Sequence, residues 1–131
     1  MDISKLSVSE TAEVELTLVS GEPMVDEKGN RCSVTIYGPG SKEYQKAQAN
    51  KNRQLMEAMR KKGSRNIDQR ALDAEMLEAV TVSFNHFTYG ELKNRAMIEA
   101  AYRDPAIGWM AEQVGAALGD WETFLPKSEL S

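Results

Sequence analysis

This chain is poor in the residues from which most small-protein chemistry is built: its 131 residues hold one cysteine, Cys32, and one histidine, His86. A single cysteine excludes an internal disulfide, and one Cys with one His cannot supply the ligands of a structural zinc site. No apolar run approaches the roughly 20 residues of a membrane helix. The opening stretch MDISKLSVS has neither a basic start nor an apolar core, so it does not read as a secretory leader and the expected compartment is the cytoplasm. Phosphate loops are missing as well. Neither GxGxxG after a strand nor GxxxxGK followed by Ser or Thr occurs, and YGPGS reads as a turn into a helix. His86 lies between Asn85 and Phe87 with no cysteine or serine in a recognised catalytic arrangement nearby. Cys32 falls on the same face as Val34 and Ile36 and reads as a small core hydrophobe, and Glu75 with Glu78 reads as the wet side of a helix. The expectation is a protein that is not an enzyme and holds no cofactor and no metal.

What is present fits one soluble domain over 1–131. The chain is 41% hydrophobic and 27% charged, and a chain of this length can bury its own core. Its net charge of −4 is unevenly divided. Residues 1–40 carry 3 basic and 7 acidic side chains, 41–70 carry 9 and 3, and 71–131 carry 4 and 10. A +6 middle therefore stands between a −4 arm and a −6 end.

Thr11 to Ser20 alternates Val14, Leu16 and Leu18 with Glu13, Glu15 and Thr17, the two-residue period of a half-buried strand. Arg31 to Tyr37 repeats it with Cys32, Val34 and Ile36. Gly21, Pro23, Asp26, Gly29 and Asn30 mark turns between them, so 11–37 is a β-hairpin with a long loop, in need of helical cover. Residues 41–125 form the helical part, and 1–10 and 126–131 are loose tails. Ser41 opens a long helix that runs without Gly or Pro to Gly63 and is thin in apolar residues, mainly Tyr44, Ala47, Leu55, Ala58 and Met59. Asn66 with Gln69 resembles a capping pair before a helix carrying Leu72, Met76, Leu77, Val80 and Phe84, whose period predicts helix to about Ser83. Thr88 to Glu91 fits a capping box opening a helix to about Arg103 that carries Leu92, Ala96, Met97 and Ala100 or Ala101. The fold class is α+β: an N-terminal β-hairpin followed by about four helices.

The segment around which the rest is organised is Asp104 to Leu125. Asp104 can cap, Pro105 suits the first helical position, and Ile107, Met110, Val114, Leu118, Trp121 and Phe124 or Leu125 form one stripe, which predicts a single helix. Beside it runs a row of small residues, Gly108, Ala111, Gly115 and Gly119. Each mid-helix Gly costs about 1 kcal/mol against Ala, so close approach of another backbone is expected to offset it. That backbone is a neighbouring helix of the chain, the first expectation, or a second subunit.

The basic block 42–65 gathers Lys42, Lys46, Lys51, Arg53, Arg60, Lys61, Lys62 and Arg65. It suits a solvated helix, an electrostatic protein contact or non-specific phosphate binding, although it has only Tyr44 for stacking and its charges do not keep to one face. A +6 segment in one copy can attract the −6 end of another head to tail. Met56, Met59, Met76, Met97 and Met110 fall in helical blocks, where thioethers fill cores or line adaptable surfaces.

An acidic hairpin, then YGPGSKEYQKA, a basic helix, and a closing DPAIGWMAEQVGAALGDWETFL is an ordering that resembles the tail assembly chaperones of long-tailed, siphovirus-type bacteriophages. The likeness spans Val14 to Phe124, and one departure is Phe84, where a tryptophan is expected. The resemblance implies a non-enzymatic protein of the infected host's cytoplasm. It would bind and solubilise the tape measure protein before tail tube polymerisation and be absent from the mature virion. It also implies a longer form made by ribosomal frameshifting near Leu125-Pro126-Lys127, whose extension recruits the tail tube protein. The expected client-binding residues are Leu55, Met56, Met59, Arg60, Lys61 and Lys62, and the expected self-association surface is Gly108, Ala111, Gly115 and Gly119. The alternatives are a small nucleic-acid-binding protein using the basic helix, and a phage head-tail structural adaptor.

Overall fold

The structure is a computed structural model and describes residues 1–62 and 67–126; the side chain of Lys62 lies outside the description. Strands β1 (Thr11–Glu15) and β2 (Ser33–Tyr37) pair antiparallel with Val14 opposite Val34, which puts both on the dry face. The hairpin continues through bridges Thr17–Pro23 and Val25–Arg31. Gly21 and Gly29 take positive φ (94° and 86°) at its two turns. Leu18, expected to point inward, is 39% exposed because the strand alternation ends before the turn at 18–21.

A third strand corrects the sequence reading. The expected helix to Ser83 ends instead at Val80, and Thr81–Asn85 form β3 on the free side of β2. The helical period of Val80 and Phe84 is real but coincides with β-branched Thr81 and Val82, and pairing with β2 decides the outcome. A two-stranded hairpin is marginal, and the third strand satisfies β2 on both edges. The outward face is polar. Ser33 Oγ donates to Glu13 (2.5 Å), and Asn85 Nδ2 donates to Ser33 Oγ (3.1 Å) and Thr35 Oγ1 (2.9 Å).

Helix α1 (Lys42–Lys62) starts where Ser41 predicts: the buried hydroxyl donates to Gly38 O (2.7 Å) and accepts from Tyr44 N (3.1 Å). It lies against α2 (Gln69–Val80), with Lys51 bonded to Asp73 (2.8 Å) and Gln54 to Glu75 (2.9 Å). Asn66 of the expected capping pair lies outside the described residues; the cap is Asp68, which accepts from Ala71 N (3.0 Å). Ala74, Met76, Leu77 and Val80 of α2 are buried.

The capping box at Thr88 does not form. Helix α3 (Asn94–Arg103) begins later, because Gly90 (φ 59°) sits in the left-handed region, which a right-handed helix running through it does not allow, and Asn94 (φ 56°) is left-handed at the very start of α3. The buried face keeps the expected Ala101 but joins it with Ile98 and Tyr102 in place of Leu92, Ala96 and Met97, leaving Leu92 44% exposed. After Arg103 the sharp stop at Asp104-Pro105 holds as expected: Asp104 accepts from Ala106 N (2.9 Å) and also from the Tyr89 hydroxyl (2.6 Å).

The expected single helix over 104–125 is three pieces: a 3₁₀ turn Pro105–Ile107, helix α4 (Gly108–Leu118), and a 3₁₀ turn Trp121–Phe124. Gly119 ends α4 and Asp120 caps a new turn by accepting from Glu122 N (3.0 Å). The break re-aims the last aromatics. Trp121 is 60% exposed, whereas Phe124 is fully buried beside Gly38. The N-terminal segment is not loose at its inner end, because Ser9 N donates to Phe124 O and Gly38 N to Glu10 O (both 2.8 Å). The expected tail at 127–131 lies outside the described residues. One apolar cluster fills the space between the inner sheet face and the helices.

Candidate functional site

Between α2 and α4 lies a groove of about 610 Å³. Ala74, Met76 and Leu77 of α2, Leu118 of α4 and Tyr102 of α3 form its apolar lining. Gly108, Ala111 and Gly115 form the α4 wall, while Lys51, Arg70, Asp73 and Glu112 bring charge to the groove. Tyr102 is held rigidly there, its hydroxyl 2.7 Å from that of Thr81, which also donates to Leu77 O (2.7 Å). Burial pushes the Tyr102 phenol up to about 12, so it stays neutral.

The glycines of this wall do not do what the sequence reading first expects of them. A Cβ built on Gly108 or Gly115 meets no atom within 4 Å. The intrachain packing expected to offset their cost is therefore absent at both positions, and they border open space. Gly119 belongs to a different feature: it is the C-cap of α4 and lies outside the groove lining. Of the expected self-association row, the structure brings Gly108, Ala111 and Gly115 together on one wall.

The expected client-binding residues sit on the distal half of α1. Met56 is 71% and Met59 51% exposed, a large thioether area for a helix that packs on α2 by its other side. Arg60 and Lys61 are exposed, and Leu55 is half-buried at the edge of the α1–α2 contact. By helical angle Asn52, Met56 and Met59 share one stripe and Arg53 and Arg60 flank it. Within the rest of the basic block, Lys51 is tied to Asp73, Lys42 and Lys46 are exposed, and Arg65 lies outside the described residues.

Other candidates resolve into structural roles. Glu78 accepts from the Arg103 guanidinium (2.7 Å) and Glu75 from Gln54, so the two carboxylates brace α2 against α3 and α1. Cys32 is buried and its thiol donates to His86 O (3.4 Å); burial pushes the thiol up, away from the reactive thiolate. His86 Nδ1 lies 3.6 Å from Asp26, exposed at the hairpin's outer turn. Among the described residues no three His, Cys, Asp or Glu side chains are grouped as a metal site, and no helix is long and apolar enough to cross a membrane. Comparison with known proteins finds no matching family model, curated protein or solved structure.

The groove is the feature that sequence reasoning missed. Met76 and Leu77 were legible as a buried stripe of α2 and Gly108, Ala111 and Gly115 as a small-residue row. That these two rows face each other across an opening depends on the angle between α2 and α4, which no local pattern encodes.

Proposed function

We propose that this chain is a tail assembly chaperone of a long-tailed bacteriophage, which binds the tape measure protein and keeps it soluble before the tail tube polymerises, and which is absent from the mature virion. The observation that carries the reading is the distal half of α1, where Met56 and Met59 stand exposed beside Arg53, Arg60 and Lys61. Methionine is unbranched and polarisable, so such a stripe adapts to varied apolar helix faces, and the flanking cations add attraction to an acidic client without demanding one geometry. Affinity of this kind is weak per copy and multiplies along a long client. A longer, frameshifted form recruiting the tail tube protein belongs to the same reading.

Co-expression with the tape measure protein tests it: the client should remain soluble and co-purify with this chain, and Met56→Glu with Met59→Glu should abolish both. A client that precipitates despite abundant soluble partner refutes the proposal. The exposed cations favour one second reading, a nucleic-acid-binding protein. That reading requires retention on DNA with a steep loss on adding salt.

A further inference from the structure

We infer that the outer edge of β1 is a docking site for a short extended segment of another protein, one that carries basic side chains at alternate positions and adds a fourth strand to the sheet.

The direction of the backbone defines the edge. Gly38 N donates to Glu10 O and Leu16 N to Cys32 O, so in this register the even-numbered residues of β1 turn their N–H and C=O groups toward β2. The odd-numbered residues turn theirs the other way. At one end Ser9 N is bonded to Phe124 O (2.8 Å), and at the other both backbone groups of Thr17 are bonded to the Gln113 amide (2.9 and 2.8 Å). Between these closed ends stand the exposed Thr11, Glu13 and Glu15, on the outermost strand of the sheet, and their outward groups have no partner among the described residues. Unpaired outward groups on a sheet edge are a template for a further strand. At strand rise the open stretch is about 14 Å long, the span of one short segment.

The side chains set the chemistry of the occupant. Glu13 and Glu15 stand on the wet face of the edge, with Glu10 exposed at its start. Arg31 neutralises Glu15 (2.7 Å), whereas Glu10 and Glu13 form no ion pair among the described residues, and Ser33, Thr35, Ser83 and Asn85 beside them carry no charge. A lysine or arginine opposite each carboxylate therefore adds a favourable cross-strand pair. On the dry face the half-buried Ala12 and the buried Val14 leave a row that apolar residues of the added strand would extend. The fitting occupant alternates basic and apolar residues. A second copy of this chain fits poorly, because an antiparallel pairing of two β1 edges that uses all three open positions sets Glu13 against Glu13. The inference involves neither the α1 stripe nor the groove and stands or falls independently of the chaperone reading.

The experiment titrates the full, isotope-labelled chain with the capped synthetic peptide TVKVKVT and follows amide exchange by NMR. In the free chain the Ala12 and Val14 amides should be protected by β2, and those of Thr11, Glu13 and Glu15 should exchange fast. Saturating peptide should slow exchange at these three and leave Ala12 and Val14 unchanged. In antiparallel addition the peptide residues opposite Glu13 and Glu15 point their N–H groups at β1, so methylating the two lysine amides should abolish binding while methylating the valine amides leaves it in place. The acidic peptide TVEVEVT should not bind, and Glu13→Lys, at an exposed position, should weaken TVKVKVT about tenfold. No saturable binding up to millimolar peptide overturns the inference. Protection that falls elsewhere in the chain overturns it too, as does equal binding by the lysine-methylated or the acidic peptide.

Discussion

Gly38 and Gly115 should respond to the same substitution with opposite signs. Gly115 is mid-helix with open space where its Cβ would be, so Gly115→Ala gains the helix-propensity difference, about 1 kcal/mol, with no clash to offset it. For a domain of this size that is a rise in Tm of about 3–5 °C. Gly38 ends β2 against the ring of Phe124, and a Cβ there would lie 2.7 Å from Phe124 Cγ and closer still to two other ring carbons. Phe124 cannot yield cheaply, because it is fully buried and its carbonyl accepts from Ser9 N (2.8 Å). Overpacking of this kind costs about 1–3 kcal/mol, so Gly38→Ala should lower Tm by about 3–15 °C and loosen the 3₁₀ turn at Trp121–Phe124. Thermal unfolding by circular dichroism at low protein concentration, where association does not contribute, measures both. A loss of stability in Gly115→Ala would mean that a backbone does approach that wall in the free chain, and the account of the groove as open would be wrong. A neutral Gly38→Ala would equally refute the close packing assigned to Phe124.

Tyr102 sets an alkaline limit. Its phenol is neutral when protonated and its folded value stands at about 12 against 10 in the ordinary range, so the unfolded chain loses the proton first. The contribution is intact below pH 10 and declines by about 1.4 kcal/mol per pH unit between 10 and 12. Tyr102→Phe should start about 1 kcal/mol less stable, from the lost bond to Thr81, and draw level with and then overtake wild type in denaturant titrations as pH rises through that window. Gln113 of α4 donates to Thr17 O (2.8 Å) and accepts from Thr17 N (2.9 Å), holding the hairpin extension as a further strand would. Gln113→Ala should cost about 1–3 kcal/mol and speed hydrogen exchange at the Thr17 amide, and unchanged exchange would deny the clamp.

Alternation at Val14, Leu16, Val34 and Ile36 was enough to place the hairpin, because one wet and one dry face demand it whatever else surrounds the strands. The α1 start at Ser41 and the stop at Asp104-Pro105 were equally local, each resting on a side chain that bonds backbone groups within a few residues. The exposed face of α1 followed from its thin apolar content.

Other features were settled by partners far away in sequence. Thr81–Asn85 is a strand because β2 has a free edge beside it, an opportunity invisible in a segment that keeps helical period through Phe84. The helix expected from Thr88 starts at Asn94 because Tyr89 reaches the Asp104 carboxylate and Gly90 turns left-handed. The closing segment breaks at Gly119-Asp120 because burying Phe124 against Gly38 requires a direction that a continuous helix through Leu125 does not provide. The candidate site shows the same division. Small residues on α4 and methionines on α1 are written in the sequence as spacing and composition, which are one-dimensional. Whether a glycine row is covered or open is a matter of the distance between two helix axes, and only the packing of α2, α3 and α4 around Tyr102 and Leu77 decided that it is open.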